Sequence, residues 1–254
     1  RQRRERAKIP DAVRHREKWR LALDALDEVR DEEWGLPDLP VVADAGYGDT
    51  TGFRLALQER ELEYVVAVKA GTSAYRGQAR PHTPPYSGRG RRPGPCYPAP
   101  PSSLKQIVLA AGKKAARTVT WRQGSKKTKD DPTAVMRSRF VMLRVRPANK
   151  DIPRAADGSL PECWLLAEWP PGAGEPTDYW LSNLPADTPP RTLVRLAKIR
   201  WRIEHDYREL KDGLGLDHFE GRSYLGWHRH VTMAALAQAF CTLLRLDPKA
   251  LAPA

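Results

Sequence analysis

The sequence predicts an α/β protein in which two helix-containing portions flank a β-rich middle third. Two short apolar runs, at 39–43 and 64–68, bracket a helix-patterned stretch, which is the order and spacing of a parallel β-α-β unit. Four strand-like stretches separated by turn residues fill the middle of the chain, and helical periodicity returns after Thr188.

Taken in order, residues 11–31 read as an amphipathic helix, with Val13, Trp19, Leu21, Leu23, Leu26 and Val29 spaced among charges at near-helical intervals. Gly35-Leu36-Pro37 breaks it, and the strand at 39–43 stops at Asp44 before the turn Ala45-Gly46-Tyr47-Gly48-Asp49. A helix is expected from Thr51 to Arg60, carrying Phe53, Leu55, Ala56 and Leu57, and the strand at 64–68 follows. Residues 71–101 are rich in Pro, Gly and Arg and read as a solvated loop. Strands are then expected at 118–121, 140–146, 163–169 and 178–184, with turns at Asp157-Gly158 and Pro170-Pro171-Gly172. Their tryptophans, Trp121, Trp164, Trp169 and Trp180, are expected to fill the core. Thr188 is placed to cap a helix that has Pro189 in its first turn and runs to Lys211, where Gly213 and Gly215 end it. A last helix spans 224–246. These divisions give three parts: 1–69, a β-rich segment at 70–185, and 186–254.

Lys and Arg together number 43 against 31 Asp and Glu, a net charge of +12. Such an excess points to a polyanionic partner, because basic side chains displace the counterions of phosphates. Frequent Arg in an ordinary soluble protein accounts for it equally. Cys96, Cys163 and Cys241 are scattered and odd in number, which excludes a disulfide framework or a cysteine zinc site and fits a reducing cytoplasm. No apolar run approaches the length of a membrane span.

Two carboxylates stand out. Asp44 sits where an apolar strand meets a glycine turn. Carboxylates at the carboxyl ends of parallel strands often face a ligand crevice, although an Asp there also simply caps the turn. The second is Glu204. On a continuous α-helix with Arg200 at zero, Glu204 falls at about 40° and Lys211 at about 20°. The three form one row bordering the apolar face of Leu196, Ile199, Ile203, Tyr207 and Leu210. A carboxylate held there between two cations suits the edge of a cleft where a phosphate meets a metal ion. Spacing alone favours the plainer alternative, an Arg–Glu pair on a solvated helix. The turn at 46–52 misses the glycine spacing of a phosphate loop. His228 and His230 point about 200° apart on a helix and make no metal pair. The basic runs Arg89–Arg92 and Lys126-Lys127 read equally as DNA-backbone contacts or as plain solvated loops.

Residues 197–211, AKIRWRIEHDYRELK, resemble the Y-x2-R-x3-E-x6-K signature of one large group of DDE transposases of bacterial insertion sequences. Arg200, Glu204 and Lys211 fall on its R, E and K. Residues 41–48, VVADAGYG, look like the strand and turn around that group's second catalytic Asp, and 217–222 with 227–230 look like its C-terminal continuation. The resemblance is strongest at 39–69 and 162–240. It departs in two places. Ala197 stands where the signature has Tyr, and no residue before Asp44 fits the first catalytic Asp; Asp11, beside Pro10, has no strand.

The resemblance implies a ribonuclease-H-like core, incomplete at the N-terminus and interrupted by a β-rich insertion before the Glu-bearing helix. It implies Asp44 and Glu204 as catalytic residues and metal ligands, two of three carboxylates around two Mg²⁺ ions for which Mn²⁺ can substitute. Arg200, Lys211, Arg208 and Arg222 are the implied DNA contacts. The implied partner is double-stranded DNA at transposon ends and target, bound by a homodimer in the cytoplasm. The chain, which opens at Arg1 without Met, is expected to be a C-terminal portion of such an enzyme and inactive alone. Two other readings stand beside this one: a catalytically dead DNA-binding remnant, and another ribonuclease-H-like nuclease.

Overall fold

The computed structural model describes residues 2–31, 37–123 and 134–246. In chain order the elements are α1 (Gln2–Arg6), α2 (Lys18–Arg30), β1 (Val41–Ala43), α3 (Ala45–Gly48), α4 (Thr51–Glu59), β2 (Tyr64–Val68), β3 (Ser73–Arg76), β4 (Ser102–Ser103), α5 (Leu104–Ala111), β5 (Arg117–Gln123), β6 (Val135–Pro147), β7 (Cys163–Glu168), β8 (Asp178–Ser182), α6 (Pro190–Ile199), α7 (Trp201–Arg208) and α8 (Tyr224–Leu246). A π-helical turn at Glu209–Gly213 follows α7. The chain divides into two compact units, residues 17–200 and residues 1–16 with 201–254.

The larger unit is a single mixed sheet covered on both faces. Its strand order is β1-β2-β8-β7-β6-β3-β4, and β5 pairs with β6. β1 and β2 are parallel, as the β-α-β spacing predicts, and every other pairing is antiparallel. The strand pairing runs across the division read from the sequence at 69, because β2 hydrogen-bonds directly to β8.

Alternation along each strand sorts side chains to the two faces. Tyr64, Val66 and Val68 of β2, Cys163, Leu165 and Ala167 of β7, and Tyr179 and Leu181 of β8 share one core with Leu23 of α2, Phe53 and Leu57 of α4, and Ile107 and Val108 of α5. Val65, Leu166 and Trp180 on the opposite face meet Phe140, Val119 and the apolar side of α6, namely Leu193, Val194 and Ala197. The four tryptophans pack as expected. Trp169 and Trp180 are buried, while Trp121 and Trp164 lie partly buried against the second core.

Several elements differ from the sequence reading. The first long helix starts at Lys18, not at residue 11; the stretch before it is polar and begins at Pro10, so it has no apolar stripe to bury. The expected loop at 71–101 contains β3, and β4 and α5 follow it. α5 is opened by a capping box in which Ser103 Oγ accepts from Gln106 N and Gln106 Oε1 accepts from Ser103 N. Thr188 does not cap α6: its hydroxyl donates to Pro185 O at 2.7 Å, and Pro189 stands at the cap position. The single helix expected from 188 to 211 is broken after Ile199 and gives way to the π turn at Glu209. The final helix lies at Tyr224–Leu246, where the sequence places it. Among the described residues no helix is long and apolar enough to cross a membrane.

Candidate active site

Asp44 follows the last residue of β1 and is exposed. Its backbone is still extended (φ −80°, ψ 178°), and its side chain caps α3 by accepting from Gly46 N at 2.9 Å. The capping reading of Asp44 holds. One carboxylate oxygen, Oδ1, fixes the turn, and the group stands at the carboxyl end of a parallel strand.

The turn beneath Asp44 is fastened to β2, to Lys69 just after it, and to α4. Gly48 passes so close to the strand that a Cβ there would lie 1.9 Å from Ala67 O, so no other residue fits without moving backbone. Asp49 Oδ1 accepts from Lys69 N at 2.8 Å, and its Oδ2 lies 3.2 Å from Lys69 Nζ. Arg54, buried on α4, donates to Gly48 O and, at 3.1 Å, to Thr51 Oγ1. Burial pushes its guanidinium below its usual pKa, with Tyr64, Cys163 and Asp49 acting in the opposite direction. Tyr47 packs on Phe53 with ring centroids 5.6 Å apart. Gly48, Asp49 and Arg54 did not emerge from the sequence as site residues. The glycine and carboxylate in the turn were visible, but an Arg in an amphipathic helix reads as solvated.

On the sheet's other face, α6 is anchored near its end. Lys198 Nζ pairs with Glu168 of β7, whose side chain is 8% exposed, and lies 5.7 Å from the Trp121 ring and 5.5 Å from the Trp180 ring. Arg200, half-buried, caps this helix in αR conformation.

The smaller unit carries the rest of the expected set. Glu204 lies exposed in the first turn of α7, Arg208 is exposed at the end of that helix, Lys211 is exposed in the π turn, and Arg222 is exposed in the segment before α8. A π turn advances each residue by less than an α-helical step, so Lys211 does not keep the angular position relative to Glu204 that a continuous helix assigns. π turns are often found at functional sites.

Polar ties join α7 and the residues after it to α8. Arg245 donates to both oxygens of Glu209 at 3.0 Å, and its hydrogen bond holds the Glu209 carboxyl below the usual carboxylate range. Gln238 Nε2 donates to Asp206 O at 3.3 Å. His230 Nε2 lies 3.0 Å from Gly215 O while its ring packs on Phe219, so its role here is to pin the π turn's exit.

Among the described residues no three His, Cys, Asp or Glu side chains gather where they could hold a metal ion. The basic run Lys126-Lys127 lies outside the described residues. No curated protein matches the chain. The family model described as DDE superfamily endonuclease matches residues 1–128, the half that contains β1, Asp44 and the fastened turn. By that match over half its length, the chain belongs to the DDE superfamily endonucleases.

Proposed function

We propose that the chain is part of an insertion-sequence transposase that cleaves DNA at element ends and transfers the freed strand. Family membership carries the coarse part: these endonucleases act on DNA and generally use divalent metal ions. The observation that carries the finer reading is Asp44. It is an exposed carboxylate at the carboxyl end of a parallel strand, on a turn held rigidly from below, inside the matched segment. That is the support a metal-ligating carboxylate needs, since a ligand must be fixed to within a fraction of an ångström, about 0.5 Å.

The β1-α4-β2 unit and α6 are then the later part of a ribonuclease-H-like core, and β3 to β8 the insertion before the Glu-bearing helix. The described residues gather too few ligands for a metal centre by themselves. Asp44 and Glu204 are proposed as two of the carboxylates, with a further one needed. Mg²⁺, or Mn²⁺ in its place, supplies Lewis acidity and an activated water when bound. Asp44 holds its place through Gly46 N. Arg200 grips phosphate with a forked guanidinium, Lys211 as a point charge, and Arg208 and Arg222 add backbone contacts. The acting species is a homodimer on DNA.

The test is excision in cells carrying the reading frame in its own flanking DNA. Asp44→Asn and Glu204→Gln are each expected to lower excision more than about a hundredfold at unchanged protein level. Wild-type excision by either variant overturns the assignment.

A further inference from the structure

The net positive charge of this chain is confined to one segment. Between Tyr64 and Lys129 there are 14 Lys and Arg residues and not one Asp or Glu; the rest of the chain holds 29 basic and 31 acidic residues. The net charge of +12 is therefore a property of this stretch, and a solvated surface has no need of such segregation. Most of it is described: it runs from the end of β2 through β3, β4 and α5 to β5.

The fold gives the stretch a focus. β6 takes β5 along residues 135–140 and β3 along 145–147 on the same edge. Between those pairings lies a cavity of about 290 Å³ lined by Arg76, Arg80, Arg144, Leu143, Ile107 and Glu162, among others. Glu162 is the one acid in this lining, and it is already committed. It accepts from Arg144 Nε at 2.8 Å and from Arg146 Nη2 at 3.0 Å. Among the described residues Arg144 has a buried Nη1 without an acceptor, and its guanidinium lies 4.9 Å from the Trp164 ring centroid. Arg76 and Arg80 are exposed at the mouth, and the run of Arg89, Arg91 and Arg92 follows in the same acid-free stretch.

We propose that this end of the sheet is a second DNA-contacting surface, with the Arg76–Arg80–Arg144 cavity receiving a backbone phosphate of duplex DNA. β3 is five strand positions from β1 in the sheet order, about 24 Å at normal strand spacing, so this surface is separate from Asp44. It holds DNA beyond the reacting strand without reading bases, since guanidinium contacts to phosphate carry no sequence information. The inference rests on the reading of the chain as a DNA-acting endonuclease.

The experiment is fluorescence anisotropy of the full chain on a labelled duplex of arbitrary sequence across a salt series, with melting temperature as the fold control. The Arg76→Gln/Arg80→Gln pair is expected to weaken binding and to flatten the log K against log salt slope by about 0.9 for each phosphate that is no longer neutralised. The charge-preserving pair Arg76→Lys/Arg80→Lys retains the wild-type slope. A Gln pair that binds as wild type, or a wild-type chain that does not bind the duplex, overturns the surface. Excision by Asp44→Asn overturns the catalytic reading instead, and the two failures are read in different assays.

Discussion

The two carboxylates singled out by the sequence are held in opposite ways. Asp44 caps a turn that is locked by backbone approach, a buried guanidinium and a carboxylate bridge. Glu204 lies on α7, a helix with no buried residue, whose hairpin with α8 is held by an exposed ion pair and a few hydrogen bonds. The first is positioned by packing, the second by a few polar ties. In a well-packed core a displaced atom gives up its close packing on every side, whereas an exposed tie is worth little and yields to salt and pH. Asp44 is thus held by contacts that yield little, and Glu204 lies on a helix whose ties loosen with salt and pH.

Core truncation breaks this comparison most severely. Phe53, 2% exposed beneath the Asp44 turn, is expected to cost about 3–5 kcal/mol as Phe53→Ala. Tyr207, 54% exposed on α7, is expected to cost less than about 0.5 kcal/mol as Tyr207→Ala. Urea unfolding followed by tryptophan fluorescence measures both, and equal costs would abolish the distinction. Next comes Gly48→Ala, in which a Cβ 1.9 Å from Ala67 O forces backbone apart at about 2–3 kcal/mol.

The smallest effect is one of pH. Arg245 lowers the Glu209 pKa in the folded chain, so the tie is fully present above the ordinary carboxylate value and is lost as pH falls through the lowered one. Hydrogen-exchange protection in α7 and α8 is expected to drop in that acid window while β2 keeps its protection. Arg245→Gln removes the pH-dependent part, and parallel loss in both regions would refute it.

Legibility followed apolar patterning. The strand at 64–68, a five-residue apolar run, and the helix at 224–246, with apolar residues recurring along it, were found at their observed bounds. β3 and α5 were hidden by the Pro-, Gly- and Arg-rich sequence around them, although Ser103 and Gln106 carried a capping-box signal available at the right spacing. The break after Ile199 and the π turn were not legible, because helical periodicity continues through both while the hydrogen-bond ladder does not. Asp44 was legible as a strand-end carboxylate. What fastens it was not, since Arg54 and Asp49 reach partners that only the fold brings near.

The close pass of Gly48 over Ala67 O has an evolutionary corollary. A main-chain oxygen is common to all amino acids, so the height of the Asp44 loop above the sheet is inherited from chain geometry. A change at the one codon for Gly48 alters the contact whichever side chain replaces that of Ala67.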